Sequence, residues 1–92
     1  MKIIKENNNI KLINDNESEI ETYSYDKEIN FKKLMEYLLG LNLEEKLEII
    51  YDQDKFTDED HTLLHIITQL IESYNEKVDE FKKFESNYNT SL

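Results

Sequence analysis

Cysteine is absent from this chain, which excludes disulfides, thiolate nucleophiles and thiolate metal ligands. Arginine is absent as well, so all eleven basic side chains besides histidine are lysines. Arginine is the residue that forks onto carboxylates and phosphates. Its absence, beside 21 acids and a formal charge of −10, argues against a protein that grips nucleic acid or nucleotides itself. There is a single glycine, Gly40, and one glycine cannot build a phosphate-cradling loop. No apolar run approaches the roughly 20 residues that span a bilayer. Met1–Glu6 lacks the apolar core of a signal peptide. The expectation is a cytoplasmic protein with no membrane segment.

What the chain does have is acid, unevenly placed. Asp15, Glu17, Glu19, Glu21, Asp26 and Glu28 stand against Lys27 alone, and a second concentration lies beyond Thr57. The first fourteen residues are slightly basic. A low-GC genome also favours Lys, Asn, Ile and Tyr, all abundant here. That bias accounts for the missing arginine better than for the net charge, since it favours lysine too.

Ninety-two residues make one domain with one core. Its organisation reads as a β-rich part over 1–28, a helical part over 29–86 and a disordered tail over 87–92. Ile3 and Ile4, then Asn7-Asn8-Asn9, then Ile10, Leu12 and Ile13 have the form of a hairpin, because Asn tolerates the left-handed backbone that tight turns need. Residues 14–19 are polar and read as a loop. Residues 20–25 alternate, Tyr23 and Tyr25 on one face and Ile20 and Thr22 on the other, which predicts a third antiparallel strand.

From Asn30 the period becomes helical. Phe31, Leu34, Met35, Leu38 and Leu39 form one stripe, with Asn30 as N-cap and Gly40 at the end. Residues 43–51 fit two patterns. Leu47, Ile49 and Tyr51 alternate like a strand. Leu43, Leu47, Ile50 and Tyr51 also form a helical face, and Asn42 with Glu45 has capping-box spacing. We favour a short helix there. The last element is the plainest: Thr57 as cap, acids at 58–60 in the first turn, and an unbroken stripe from Leu63 through Phe84. Over 58–86 such a helix runs about 43 Å, longer than a compact domain of this size. The predicted fold is α+β: a three-stranded antiparallel sheet, two short helices and one long C-terminal helix. Tyr74, Val78, Phe81 and Phe84, toward the far end, are the candidate dimer contacts.

Catalytic patterns fail one by one. His61 and His65 are four apart, but Thr62 stands where the zincin motif needs its glutamate. The aspartates from Asp52 resemble a calcium loop until Phe56, Thr57 and Leu63 fall at its fifth, sixth and twelfth positions. No serine sits in a nucleophile elbow. A helix-turn-helix reading would aim Asp58, Glu59 and Asp60 at DNA. No enzyme, metal or cofactor is expected.

Two function classes remain. One is an inhibitor or decoy whose acids occupy a basic groove of a nucleic-acid-handling protein. Its candidate residues are Glu72, Glu76, Asp79 and Glu80 on the long helix, or Asp15, Glu17, Glu19 and Glu21 before it. In size, charge and lack of catalytic motif the chain is similar to small acidic phage-encoded proteins that block host defence nucleases, anti-CRISPR proteins among them. That resemblance of type implies action in a host cytoplasm. An antitoxin or immunity protein fits the same logic. The other class is a structural or assembly protein that dimerises through the long helix and is merely kept soluble by its charge.

Overall fold

The computed structural model describes residues 1–24 and 26–91, with side chains described as far as Phe84. The chain forms β1 (Lys2–Glu6), β2 (Asn9–Ile13), β3 (Glu19–Ser24), α1 (Lys32–Gly40), one 3₁₀ turn (Gln53–Lys55) and α2 (Asp58–Ser91). The sheet is antiparallel with β2 in the centre. Asn7 supplies the left-handed residue of the hairpin turn, at φ 56°. Side chains alternate across the sheet as the period of two requires. Ile3, Ile10, Leu12 and Tyr23 are buried, and Lys2, Ile4 and Glu6 are exposed. Tyr25 and its place in the alternation lie outside the described residues, and the tail expected at 87–92 falls beyond the described side chains.

The α+β class holds, but the second short helix does not form. Residues 41–43 form a turn and the chain from there to Tyr51 runs without a helix, reaching strand pairing at Ile50, and two observations explain why. Ile50 makes a parallel bridge to β1, with the Ile3 N–H donating to the Ile50 carbonyl at 3.0 Å and the Ile50 N–H donating to the Met1 carbonyl at 2.9 Å. Farther back, Leu47 donates its N–H to Asn75 Oδ1 at 2.7 Å and accepts from Asn75 Nδ2 at 2.9 Å. Asn75 thus acts as a side-chain stand-in for a neighbouring strand. These bonds satisfy the backbone without a helix. Leu47, Ile49 and Tyr51 are half-buried while Glu48 and Ile50 are exposed, so the period of two prevails over the helical face. Asn42 and Leu43, at φ 56° and 59°, break any helix entering the segment.

Boundaries of α1 also differ slightly. Its N-cap position is Phe31, with no side-chain cap, while Asn30 Oδ1 accepts from the Lys32 N–H at 3.3 Å. Gly40 is the last helical residue, and the left-handed positions come two and three residues later, at Asn42 and Leu43. Only Leu34 and Leu38 of the stripe are buried in α1; Met35 and Leu39 face out.

The long helix closes the core from the other side. Leu63, Leu64, Ile67, Ile71, Tyr74 and Val78 are buried against the sheet, α1 and the extended segment. Its 34 residues correspond to about 51 Å at 1.5 Å per residue. The molecule measures 55 × 23 × 23 Å with a radius of gyration of 15.4 Å, against about 12 Å for a compact chain of this length. The expected overhang is therefore present: Val78 is the last buried side chain described on the helix, and Phe81 and Phe84 are exposed.

Candidate functional site

The long helix carries three distinct surfaces, and its first turn fixes how they are aimed. Thr57 Oγ1 accepts from the Asp60 N–H at 3.3 Å, and Asp60 Oδ2 accepts from the Thr57 N–H at 2.8 Å. This is a capping box with aspartate in the usual Glu/Gln place. Asp60 is fully buried, yet it also accepts from Lys5 Nζ with both oxygens, at 2.7 and 2.8 Å. Burial alone would raise the Asp60 carboxyl, but the Lys5 ammonium and the Thr57 N–H outweigh it and hold it below the usual aspartate range. Lys5 sits at a core-facing position of β1, level with Ile10 of β2. The ion pair thus ties the sheet to the start of the helix.

The first surface is acidic. Glu72, Glu76, Asp79 and Glu80 are all exposed, and helical spacing sets Glu72, Glu76, Asp79 and the two histidines on the side opposite the buried stripe. Asp79 pairs with Lys46 at 2.7 Å, and Glu80 approaches Lys77 at 3.8 Å. Both pairs are exposed and contribute little to stability. The carboxylates of the earlier segment are engaged differently. Asp15 accepts from the Met1 amino nitrogen at 3.0 Å, Glu19 from the Thr22 hydroxyl, and Glu21, whose side chain is 15% exposed, lies 4.0 Å from Lys33. Glu17 is exposed at a left-handed turn position, φ 62°. Both groups are largely exposed and both have partners within the chain; they differ in that the helix acids follow one rigid element, while the earlier four are spread over a turn and β3 with Glu21 half-buried.

The second surface is apolar. Of the four residues expected at a dimer contact, Tyr74 and Val78 face the chain's own core, at 7% and 0% exposure, while Phe81 and Phe84 stand out at 48% and 70%. A groove of about 530 Å³ lies beside Tyr74, lined by Leu38, Leu39, Asn42, Leu43, Tyr74 and Lys77. Leu39 is 77% exposed on its rim.

The third surface holds His61 and His65, both exposed and both lining a shallow depression with Tyr51, Leu64 and Thr68. Among the described residues no group of three or more His, Asp or Glu side chains is placed to hold a metal ion. Asp52 is used structurally, its Oδ1 accepting from the Asp54 N–H at 3.1 Å to start the 3₁₀ turn. Among the described residues no helix is long and apolar enough to cross a membrane. Comparison with protein-family models, curated proteins and solved structures finds no match for this chain.

Two important residues escaped the sequence reading. Asp60 looked like one of three dipole-favoured acids; only its position on the buried stripe, four before Leu64 and seven before Ile67, marked it as different. Asn75 follows Tyr74 at the edge of the apolar face, and nothing local to it announces a strand-holding amide.

Proposed function

We propose that this is a binding protein without chemistry of its own, an inhibitor or decoy that covers a basic surface of a nucleic-acid-handling protein. An anti-CRISPR-like, antitoxin or immunity role belongs to this class. The observation that carries the reading is the outward row of carboxylates on the long helix, Glu72, Glu76, Asp79 and Glu80. Neighbours at i, i+4 stand about 6 Å apart along a rigid rod, close to the separation of successive phosphates on one nucleic-acid strand. A straight helix presents such a row without ordering cost. Lys46 and Lys77 pair with it weakly and can give way to a partner's cations. Because Asp15, Glu17, Glu19 and Glu21 are spread over a turn and a strand, with Glu21 half-buried, while the helix acids share one rigid element, the helix is the better candidate of the two acidic regions.

The test is capture from lysate of the source cell by the immobilised chain, compared with a variant carrying Glu72→Lys, Glu76→Lys, Asp79→Lys and Glu80→Lys. A basic nucleic-acid enzyme should be retained by the parent and lost by the variant. Reversal of Asp15, Glu17, Glu19 and Glu21 should matter less. Raising salt from about 0.1 to 1 M should release the partner, since the screening length falls from ~10 to ~3 Å. Retention that ignores both the reversals and the salt would overturn the reading.

A further inference from the structure

The apolar surface has a shape that fits itself. Tyr74 and Phe81 are seven residues apart, as are Lys77 and Phe84, so each pair lies on one side of the helix about 10 Å apart. The groove beside Tyr74 and Lys77 and the exposed rings of Phe81 and Phe84 therefore sit on the same flank, one helical step after the other. We propose that a second copy of this chain packs here, antiparallel about a twofold axis level with residue 79. Such an axis sets Phe84 of each copy opposite Tyr74 of the other, and Phe81 opposite Lys77. Each copy's rings then fill the other's groove, the reciprocal contact that twofold symmetry demands.

Three observations favour a second copy over another occupant. Among the described residues, the six that define the flank, Ile66, Leu70, Tyr74, Lys77, Phe81 and Phe84, include no carboxylate, and Glu44 near Tyr74 and Glu80 near Lys77 stand at its border. Two chains of charge −10 can meet there with their acids at the border of the contact and not at its centre, and the Lys77 ammonium meets aromatic faces. Next, the exposed apolar surface of Leu39, Phe81 and Phe84, 77%, 48% and 70% accessible, amounts over two copies to roughly 700 Å². With the groove walls added, this approaches the lower end of a specific interface, about 1,200 Å². Finally, beyond Val78 the helix has no described core contact, and a stretch of about 13 residues holds poorly in water on its own. A partner helix supplies the missing packing. Glu72, Glu76 and Asp79 lie on the other side, while Glu80 borders this flank through its approach to Lys77, so the two surfaces meet at that edge and Leu39 and Phe84 belong to this one alone.

The full chain should sediment as a dimer at concentrations of about 10–100 µM, in the micromolar affinity class. Leu39→Glu and Phe84→Glu, both at exposed positions, should each weaken association roughly tenfold or more by burying an unpartnered charge, with circular dichroism unchanged. Added salt should tighten the dimer by screening its total charge, opposite in sign to the decoy contact. The chain has no cysteine, so Thr62→Cys takes a single nitroxide at an exposed position. Residue 62 lies 17 positions from the axis, so the two labels should be roughly 50 Å apart, against less than about 25 Å for a parallel pair. A monomer at all concentrations, a dimer indifferent to both substitutions, or a short label distance would each overturn the proposal.

Discussion

The two ends of the long helix are built on opposite terms. At the N-terminal end the first turn is tied down: Thr57 and Asp60 bond each other, and Lys5 reaches across from β1 to the same carboxylate. Three acids meet the positive end of the helix dipole. From Leu63 to Val78 one face is buried. Past Val78 the helix continues with large rings in water and no basic residue in its last turn. The difference shows that the helix is stabilised from its front half, while the back half is held out by propagation from a fixed start. A segment that contributes little to its own fold, yet is kept straight and apolar, is suited to contact with another molecule.

The strongest way to break this contrast is Asp60→Asn. It removes the carboxylate charge that faces the Lys5 ammonium at 2.7 Å and weakens the capping box. Breaking a buried pair from one side costs about 3–5 kcal/mol, a large part of the 5–15 kcal/mol typical of a domain. Urea unfolding should show it as a lower midpoint with unchanged slope. Acid should act on the same group. The folded carboxyl titrates below its unfolded value, so its contribution is complete above the ordinary aspartate range near 3.9 and is lost as pH falls through the lower folded value. The parent should lose stability in that acid window, and Asp60→Asn should lose less over the same interval. Equal acid sensitivity in both would mean that other carboxylates govern the acid transition.

Next in size is Asn75→Ala. It strips the Leu47 N–H and carbonyl of their partners, for a cost of about 1–3 kcal/mol. Hydrogen exchange should report it locally, with faster exchange at Leu47 and Ile50 and little change in β2 and β3. Uniform acceleration across the sheet would mean that residues 43–51 are part of the global unfolding unit.

That segment also marks where sequence reasoning ran out. Strands, turn and long helix were legible because their signals were local: Asn7–Asn9 between apolar pairs, then an apolar stripe from Leu63 to Phe84 with a threonine cap. The helix-free run from Glu44 to Tyr51 was not, because its choice between periods of two and 3.6 was made by Met1, Ile3 and Asn75, far away in sequence. The acidic row was legible from spacing and is exposed as spacing implied. The Lys5–Asp60 pair was not, since 55 residues separate its members. The groove beside Tyr74 needed the fold to bring Leu39 to the long helix.

A smaller effect of opposite sign is expected at the exit of α1. Gly40 is helical with φ below zero, and an added Cβ would meet nothing within 4 Å. Gly40→Ala should therefore stabilise by about 0.5–1 kcal/mol, mainly by restricting the unfolded chain. A loss instead would show that the turn into Asn42 and Leu43 needs freedom at residue 40.

The smallest stability effect is expected at the far end, and it sharpens the contrast most. Phe84→Glu replaces a ring that is 70% exposed and has few apolar contacts within the chain to lose. Surface substitutions away from special features fall within about 0.5 kcal/mol. At low protein concentration, where the chain is monomeric, the thermal midpoint should barely move. A phenylalanine with no stabilising role in the monomer leaves its worth to be measured in association, so the same substitution should separate the two scales cleanly: near zero in unfolding, large in sedimentation. If Phe84→Glu instead destabilises the monomer by more than about 1 kcal/mol, the far end is packed within its own chain. The helix would then be one continuous structural element rather than an anchored half and a presented half.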